Sequence, residues 1–385
     1  MPASVTAVRA FLVGDAQGHP LPSPQPVDLA HDTIPHGATV RFEVEVASQD
    51  PVLPMRAWLQ PEGRGGYFIY LFPSPDGGTF VGEVRLPWGL MVWGREVSGV
   101  DQPPRFPLEG VPPFGEGEYT VGFWLRNRNR ELLGESDLRF RLGAPPPAGG
   151  APPRIVSVHT GLTDSRVRVG QPWLLTAQVD DPDDDVLVVV FSVHQGDFAQ
   201  WLRLVDDGRC GDERAYDGVH SFLRIGGDMH ERPELAPGKD APVTLSVQAG
   251  DLRGNWSDPV VVQYQISGSE APLWMEEPSP DGPNILEAGL SEEEGTIDQY
   301  RLWARCDSRD AWVCGSVVGQ GEVFPLFDDG KGPDAVAGDG IYSDVLAFPR
   351  DRYRDVVLYG VAKSGPLRIG RKVGVRVRIP ASAED

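Results

Sequence analysis

Apolar and polar residues alternate with a period of two along most of this chain. Val40–Val46 (VRFEVEV) alternates without a break. Tyr119–Leu125 (YTVGFWL) runs into a turn at Asn127–Asn129, and Arg139–Leu142 follows. Leu174–Val179 and Val186–Val193 flank an acidic run, Val243–Val247 and Val260–Ile266 flank a turn at Asp251–Asn255, and Lys372–Ile379 alternates near the C-terminus. One apolar face at period two is the pattern of a half-buried antiparallel strand. Turn residues separate the strands at intervals of about 8–12 positions, the spacing of β-sandwiches. No long stretch carries a period of 3.6, and Ser291–Tyr300 is read as the only place for a short helical turn. The predicted fold is all-β: tandem, elongated antiparallel sandwiches of immunoglobulin or fibronectin type III kind.

Two breaks divide the pattern. Ala144–Pro153 reads APPPAGGAPP, which can neither pair in a sheet nor continue a helix. Ser267–Pro272 ends a strand-like segment in SGSEAP. The expected modules are 1–143, 153–267 and 271–380, with 144–152 as a linker. The chain's 46 glycines and 37 prolines fit this reading and exclude a helical bundle.

One loop occurs twice. Residues 206–221 (DDGRCGDERAYDGVHS) match 328–343 (DDGKGPDAVAGDGIYS) at a constant offset of 122. The identities include Asp206, Asp207, Gly208, Asp212, Asp217, Gly218 and Ser221 with Asp328, Asp329, Gly330, Asp334, Asp339, Gly340 and Ser343. The second and third modules are therefore copies of one unit. Two chemistries suit the loop. Asp carboxylates and turn carbonyls are the hard oxygens that Ca²⁺ takes, with Asp at positions 2, 7 and 12 able to converge. Alternatively, each Asp caps its own turn through side-chain to backbone hydrogen bonds. A further acidic run, Asp180–Asp185 (DDPDDD), has Val186 and Ser192 where an EF-hand needs Gly and Glu. It reads as a charged hairpin turn that blunts an edge. The third module has only Asp307 and Asp310 in that place.

The DDG-x3-D-x4-DG-x-[YH]-S loop, with the DDPDDD turn upstream, resembles loops in the Ig-like and fibronectin type III-like modules of secreted bacterial surface proteins. A similar loop occurs in accessory proteins of calcium-activated chloride channels. Ala249–Pro259 (AGDLRGNWSDP) resembles the last hairpin of bacterial Ig-like repeats. The resemblance spans about residues 153–380 and departs from the pattern at Cys210, Pro333 and His220. It implies a non-catalytic sandwich used in cell-surface, adhesive or enzyme-accessory settings.

Charge narrows the partners. The formal net charge is -21 and no segment is basic, so nucleic acid and anionic membrane surfaces are disfavoured while divalent cations are favoured. No window approaches the ~18 apolar residues of a membrane span. Met1–Gln17 lacks a basic start followed by an apolar run, so no signal peptide is read there. Three cysteines are too few for a disulfide scaffold. Cys306 and Cys314 can either bridge across a hairpin or stay reduced. Enzyme motifs such as G-x-S-x-G, a Walker loop or H-E-x-x-H are absent. The seven histidines read as surface or turn residues.

The first module carries a second idea. Leu86–Gly94 (LPWGLMVWG) places Trp88, Met91 and Trp93 in an apolar, Gly/Pro-rich loop. They can anchor a protein partner, stack on sugar rings or plug the end of the sandwich. Trp201, Trp256, Trp274, Trp303 and Trp312 read as core or inter-module packing. The sequence thus points to a structural or adhesive component of a cell surface, filament or virion, outside the cytoplasm, with protein partners. The alternative is a carbohydrate-binding or enzyme-accessory protein with its ligand site in the first module.

Overall fold

The computed structural model describes residues 4–47, 55–61, 67–73, 79–86, 95–96, 116–126, 132–162, 165–168, 171–195, 198–206, 211–225, 240–267, 276–292, 299–317, 323–328, 330, 334, 336–347, 354–363 and 367–377. Among the described residues there are strands and turns and no helix. Ser291 and Tyr300, expected to frame a helical turn, belong to strands, and the residues between 292 and 299 lie outside the described set.

The first module contains β1 (Ser4–Gly14), β2 (Pro20–Val27), β3 (Thr33–Ile34), β4 (Thr39–Ala47), β5 (Met55–Pro61), β6 (Tyr67–Pro73), β7 (Thr79–Arg85), β8 (Arg95–Glu96), β9 (Gly117–Arg126) and β10 (Leu132–Leu142). Its strands run in the order β2-β1-β4-β7-β6-β5-β9-β10-β3. The sheet folds over where β6 meets β7, a junction of two residue pairs. Inward residues Val40, Phe42 and Val44 of β4 meet Tyr119, Val121 and Phe123 of β9, all at most 2% exposed. Phe42 lies edge-on to Phe123, with ring centroids 6.1 Å apart.

The second module is built from β11 (Arg154–His159), β12 (Arg166–Arg168), β13 (Pro172–Asp180), β14 (Val186–Gln195), β15 (Phe198–Leu204), β16 (Val219–Ile225), β17 (Asp240–Asp251) and β18 (Val260–Ser267). Sheet β11-β13-β16 faces sheet β12-β18-β17-β14-β15-β8. The third repeats the plan with β19 (Ile285–Glu292), β20 (Gln299–Cys306), β21 (Ala311–Val317), β22 (Val323–Leu326), β23 (Ile341–Ala347), β24 (Arg354–Ala362) and β25 (Val373–Val377). There, β19-β20-β23 faces β22-β21-β24-β25. Each of these two modules has a separate core, around Trp173, Phe191 and Leu245 in one and around Leu302, Val313 and Leu358 in the other. The chain is therefore all-β, with tandem antiparallel sandwiches of the immunoglobulin and fibronectin III type.

Two sequence expectations are corrected, and one left open between two alternatives is decided. The Asp180–Asp185 turn is not an edge-blunting hairpin: β13 and β14 lie in opposite sheets, so it arches across the sandwich. Its acids are used internally. Asp181 accepts backbone N–H bonds from Asp183 and Asp185, and Asp185, 4% exposed, accepts from Arg253 Nε at 2.9 Å. Cys306 and Cys314 likewise sit on opposite sheets, and both are free, buried thiols whose pKa burial pushes up. Finally, β14 and β17 are not half-buried. Val188, Val190, Ser192, Ser246 and Gln248, on the face away from the core, are all under 9% exposed. The near-continuous apolar run Val186–Val193 was the signal for a strand covered on both faces.

Two tryptophans lie across strand glycines. A Cβ on Gly250 would meet the Trp256 ring at 3.0 Å, and one on Gly289 would meet Trp303 at 2.5 Å. Gly289 and Trp303 are directly paired across β19 and β20. These rings thus pack on sheet surfaces.

Candidate metal site in the repeated acidic loops

The loops join β15 to β16 and β22 to β23, each crossing from one sheet to the other. Each is closed by the same bridge. Val205 and Ser221 exchange two backbone hydrogen bonds, of 2.9 and 2.8 Å, and Phe327 and Ser343 do the same at 3.2 and 2.8 Å. The sequence offset of 122 is therefore a structural equivalence.

Inside the loop, the first aspartate organises the backbone. Asp206 accepts from the N–H of Asp217 at 3.2 Å and of Gly218 at 2.9 Å. Asp328 accepts from Gly338, Asp339 and Gly340 at 2.6, 3.2 and 3.0 Å. The third aspartate closes a side-chain turn: Asp217 accepts from Val219 N–H at 2.9 Å and Asp339 from Ile341 N–H at 2.8 Å. The middle aspartate also bonds locally, Asp212 accepting from Arg214 N–H at 3.3 Å and Asp334 from Gly330 N–H at 2.6 Å. The turn-capping chemistry expected from the sequence is present in both copies.

The same folding gathers the carboxylates. One oxygen each from Asp206, Asp212 and Asp217 lies within 4.8 Å of the others, and so does one each from Asp328, Asp334 and Asp339. Oxygens sharing a calcium ion at 2.3–2.6 Å can stand no more than about 5 Å apart, so both clusters have the span of a calcium shell. Three carboxylates are half of a minimal shell, and turn carbonyls and water are the oxygens available for the rest. Burial raises the pKa of Asp206 and Asp328 above the usual carboxylate range, against the hydrogen bonds that lower it. The converging set uses positions 1, 7 and 12 of the loop. Asp207 and Asp329, the position-2 acids, lie outside the described residues, as do Trp88, Met91, Trp93, Cys210 and Trp274.

Two histidines depart from the surface role expected of them. His36 is 6% exposed. His220, next to the first loop on β16, is enclosed near Arg203 and Arg85, and desolvation followed by those charges pulls its pKa down to about 4. Nothing in one strand's sequence marks these positions, since their neighbours come from other strands and another module.

No family model matches the chain, and no curated protein matches it. Among solved structures it is similar to the fibronectin(III)-like modules of Clostridium thermocellum CbhA, at 13% identity over 64% of this chain and 93% of that one, with a TM-score of 0.20. It is also similar to the FN1–FN3 domains of chicken CNTN1, at 8% identity over 89% and 96%, with a TM-score of 0.21. A third is SGBP-B of the Bacteroides ovatus mixed-linkage glucan utilization locus, in complex with a mixed-linkage heptasaccharide. There the identity is 10% over 98% and 70%, and the TM-score is 0.18. Among the described residues no helix is long and apolar enough to cross a membrane.

Proposed function

We propose that this chain is a non-catalytic structural or binding component of a cell-surface, filament or virion assembly, and that its two acidic loops bind calcium. The observation that carries the calcium reading is the repetition. Two loops with different intervening residues bring the same three aspartates within 4.8 Å. Capping brings the first aspartate to the third, through the N–H of Asp217 and of Asp339, but does not require the middle aspartate to join them; like charges held together favour a cation between them. Among the described residues these are the two places where three such ligand groups meet. Sites of this kind, with few carboxylates at partly open loops, suit the 10⁻⁴–10⁻³ M affinity range of extracellular modules. That range fits a location outside the cytoplasm, with other proteins of the assembly as partners.

Isothermal titration with Ca²⁺ tests this, together with thermal melting in calcium and in EDTA. The expected result is binding at two sites and a higher melting temperature in calcium. No heat and no shift would sink the calcium reading and leave the loops as self-capped turns.

A further inference from the structure

The two acidic loops share one backbone but have different neighbours. Tyr216 of the first loop sits against His19 of the β1–β2 turn of module one, ring centroids 6.0 Å apart and nearly perpendicular. Its counterpart Gly338 faces open space: a Cβ there would meet nothing within 4 Å. Behind Tyr216, module one and module two are joined by Arg85 at the end of β7. Its guanidinium donates to five backbone carbonyls: Gly37 at 2.9 Å, Ala16 at 3.3 Å and Gln17 at 2.7 Å in module one, and Val186 at 2.9 Å and Leu187 at 3.3 Å in module two. Room for this joint is made by glycines. A Cβ on Gly18 would meet Arg85 Nε at 2.9 Å, and one on Gly37 would meet Leu252 of module two at 2.6 Å. Both have positive φ, +89° and +92°. Strand β8 of module one also extends the sheet of module two, pairing with Phe198 and Ala199.

We propose that module one holds the first acidic loop, through Tyr216 against His19 and through Arg85 behind it, so that modules one and two open as one body, while the second loop, open at Gly338, lacks this hold. A guanidinium satisfied by carbonyls from two modules cannot leave one of them without stranding buried hydrogen-bonding groups. Tyr216 carries the coupling into the loop because its neighbours Asp217 and Gly218 are the residues that Asp206 binds. This joint does not require a metal.

Hydrogen exchange on the full chain, read by mass spectrometry, tests the proposal. His19→Ala removes the ring contact at an exposed position, and Arg85→Met removes the joint while keeping bulk. Both variants are expected to speed exchange in peptides covering 206–218, about tenfold for Arg85→Met and less for His19→Ala, with 328–340 unchanged. The His19→Ala variant decides the matter, since its position cannot by itself unfold a module. Wild-type exchange at 206–218 in that variant, or equal acceleration at 328–340, would overturn the proposal. Either result leaves the calcium titration of the two loops untouched.

Discussion

Tyr216 and Gly338 occupy the same place in the two acidic loops, and both have left-handed backbone, φ +61° and +72°. A tyrosine there bears a steric cost that glycine does not. The test is on the glycine side, where space is open and only the dihedral matters. Gly338→Ala is expected to destabilise the third module by about 1 kcal/mol, read as a lower urea midpoint with unchanged slope. A neutral substitution would mean that the loop relaxes out of this conformation.

Calcium binding should depend on the third aspartate as well as the first. Asp217→Asn and Asp339→Asn keep the side-chain turn, because an amide oxygen still accepts the N–H of Val219 or Ile341. Each removes one charge from its cluster. Each is expected to abolish or weaken one of two binding events, and the double variant to lose the melting shift. At calcium about a hundredfold above Kd, each lost site removes about 2.7 kcal/mol of stabilisation. An unchanged titration in the double variant would show that the carboxylate clusters are not the sites.

The partly exposed Arg253 pairs with the buried Asp185 and ties the turn after β17 to the arch before β14. The same two turns hold the proline-rich segment: Asp183 accepts from Ala151 N–H at 2.9 Å, and Asn255 donates to the Gly149 carbonyl at 3.0 Å. Arg253→Met leaves the carboxylate buried alone and is expected to cost about 3 kcal/mol. Burial already raises the pKa of Asp185, so the loss should shrink as acid protonates it. A cost that is the same at neutral and acid pH would place the effect in packing instead.

His220 makes stability depend on pH. Its folded pKa, about 4, lies below the ordinary value of 6.5. As pH falls from 6.5 towards 4, the unfolded chain takes up a proton that the folded chain does not. The contribution is therefore whole above pH 6.5 and is lost progressively down to pH 4, by roughly 3 kcal/mol in all. Denaturant melts of wild type and His220→Gln across this range check it. The variant's profile should be the flatter of the two, and parallel profiles would remove His220 as a source.

The strands were legible because a half-buried sheet imposes its period on the chain. Val40–Val46, Tyr119–Leu125 and Lys372–Ile379 lie where β4, β9 and β25 form or overlap them closely. The repeat was legible because two copies of one backbone need glycine and aspartate at the same positions, as Gly218 and Gly340 show with φ of +80° and +84°. What the chain's order could not express is which strands face each other. That β13 and β14 belong to opposite sheets turned an expected hairpin into an arch, and the same split between β20 and β21 separated Cys306 from Cys314 in the third module. That Arg85 would find carbonyls about a hundred residues away, at Val186 and Leu187, depended on how two modules dock. Sequence by itself determined the elements and their copying, because local backbone preference and alternation are written residue by residue. Only the tertiary structure decided the convergence of the aspartates and the joint at Tyr216, because these depend on distances between segments that folding alone brings together.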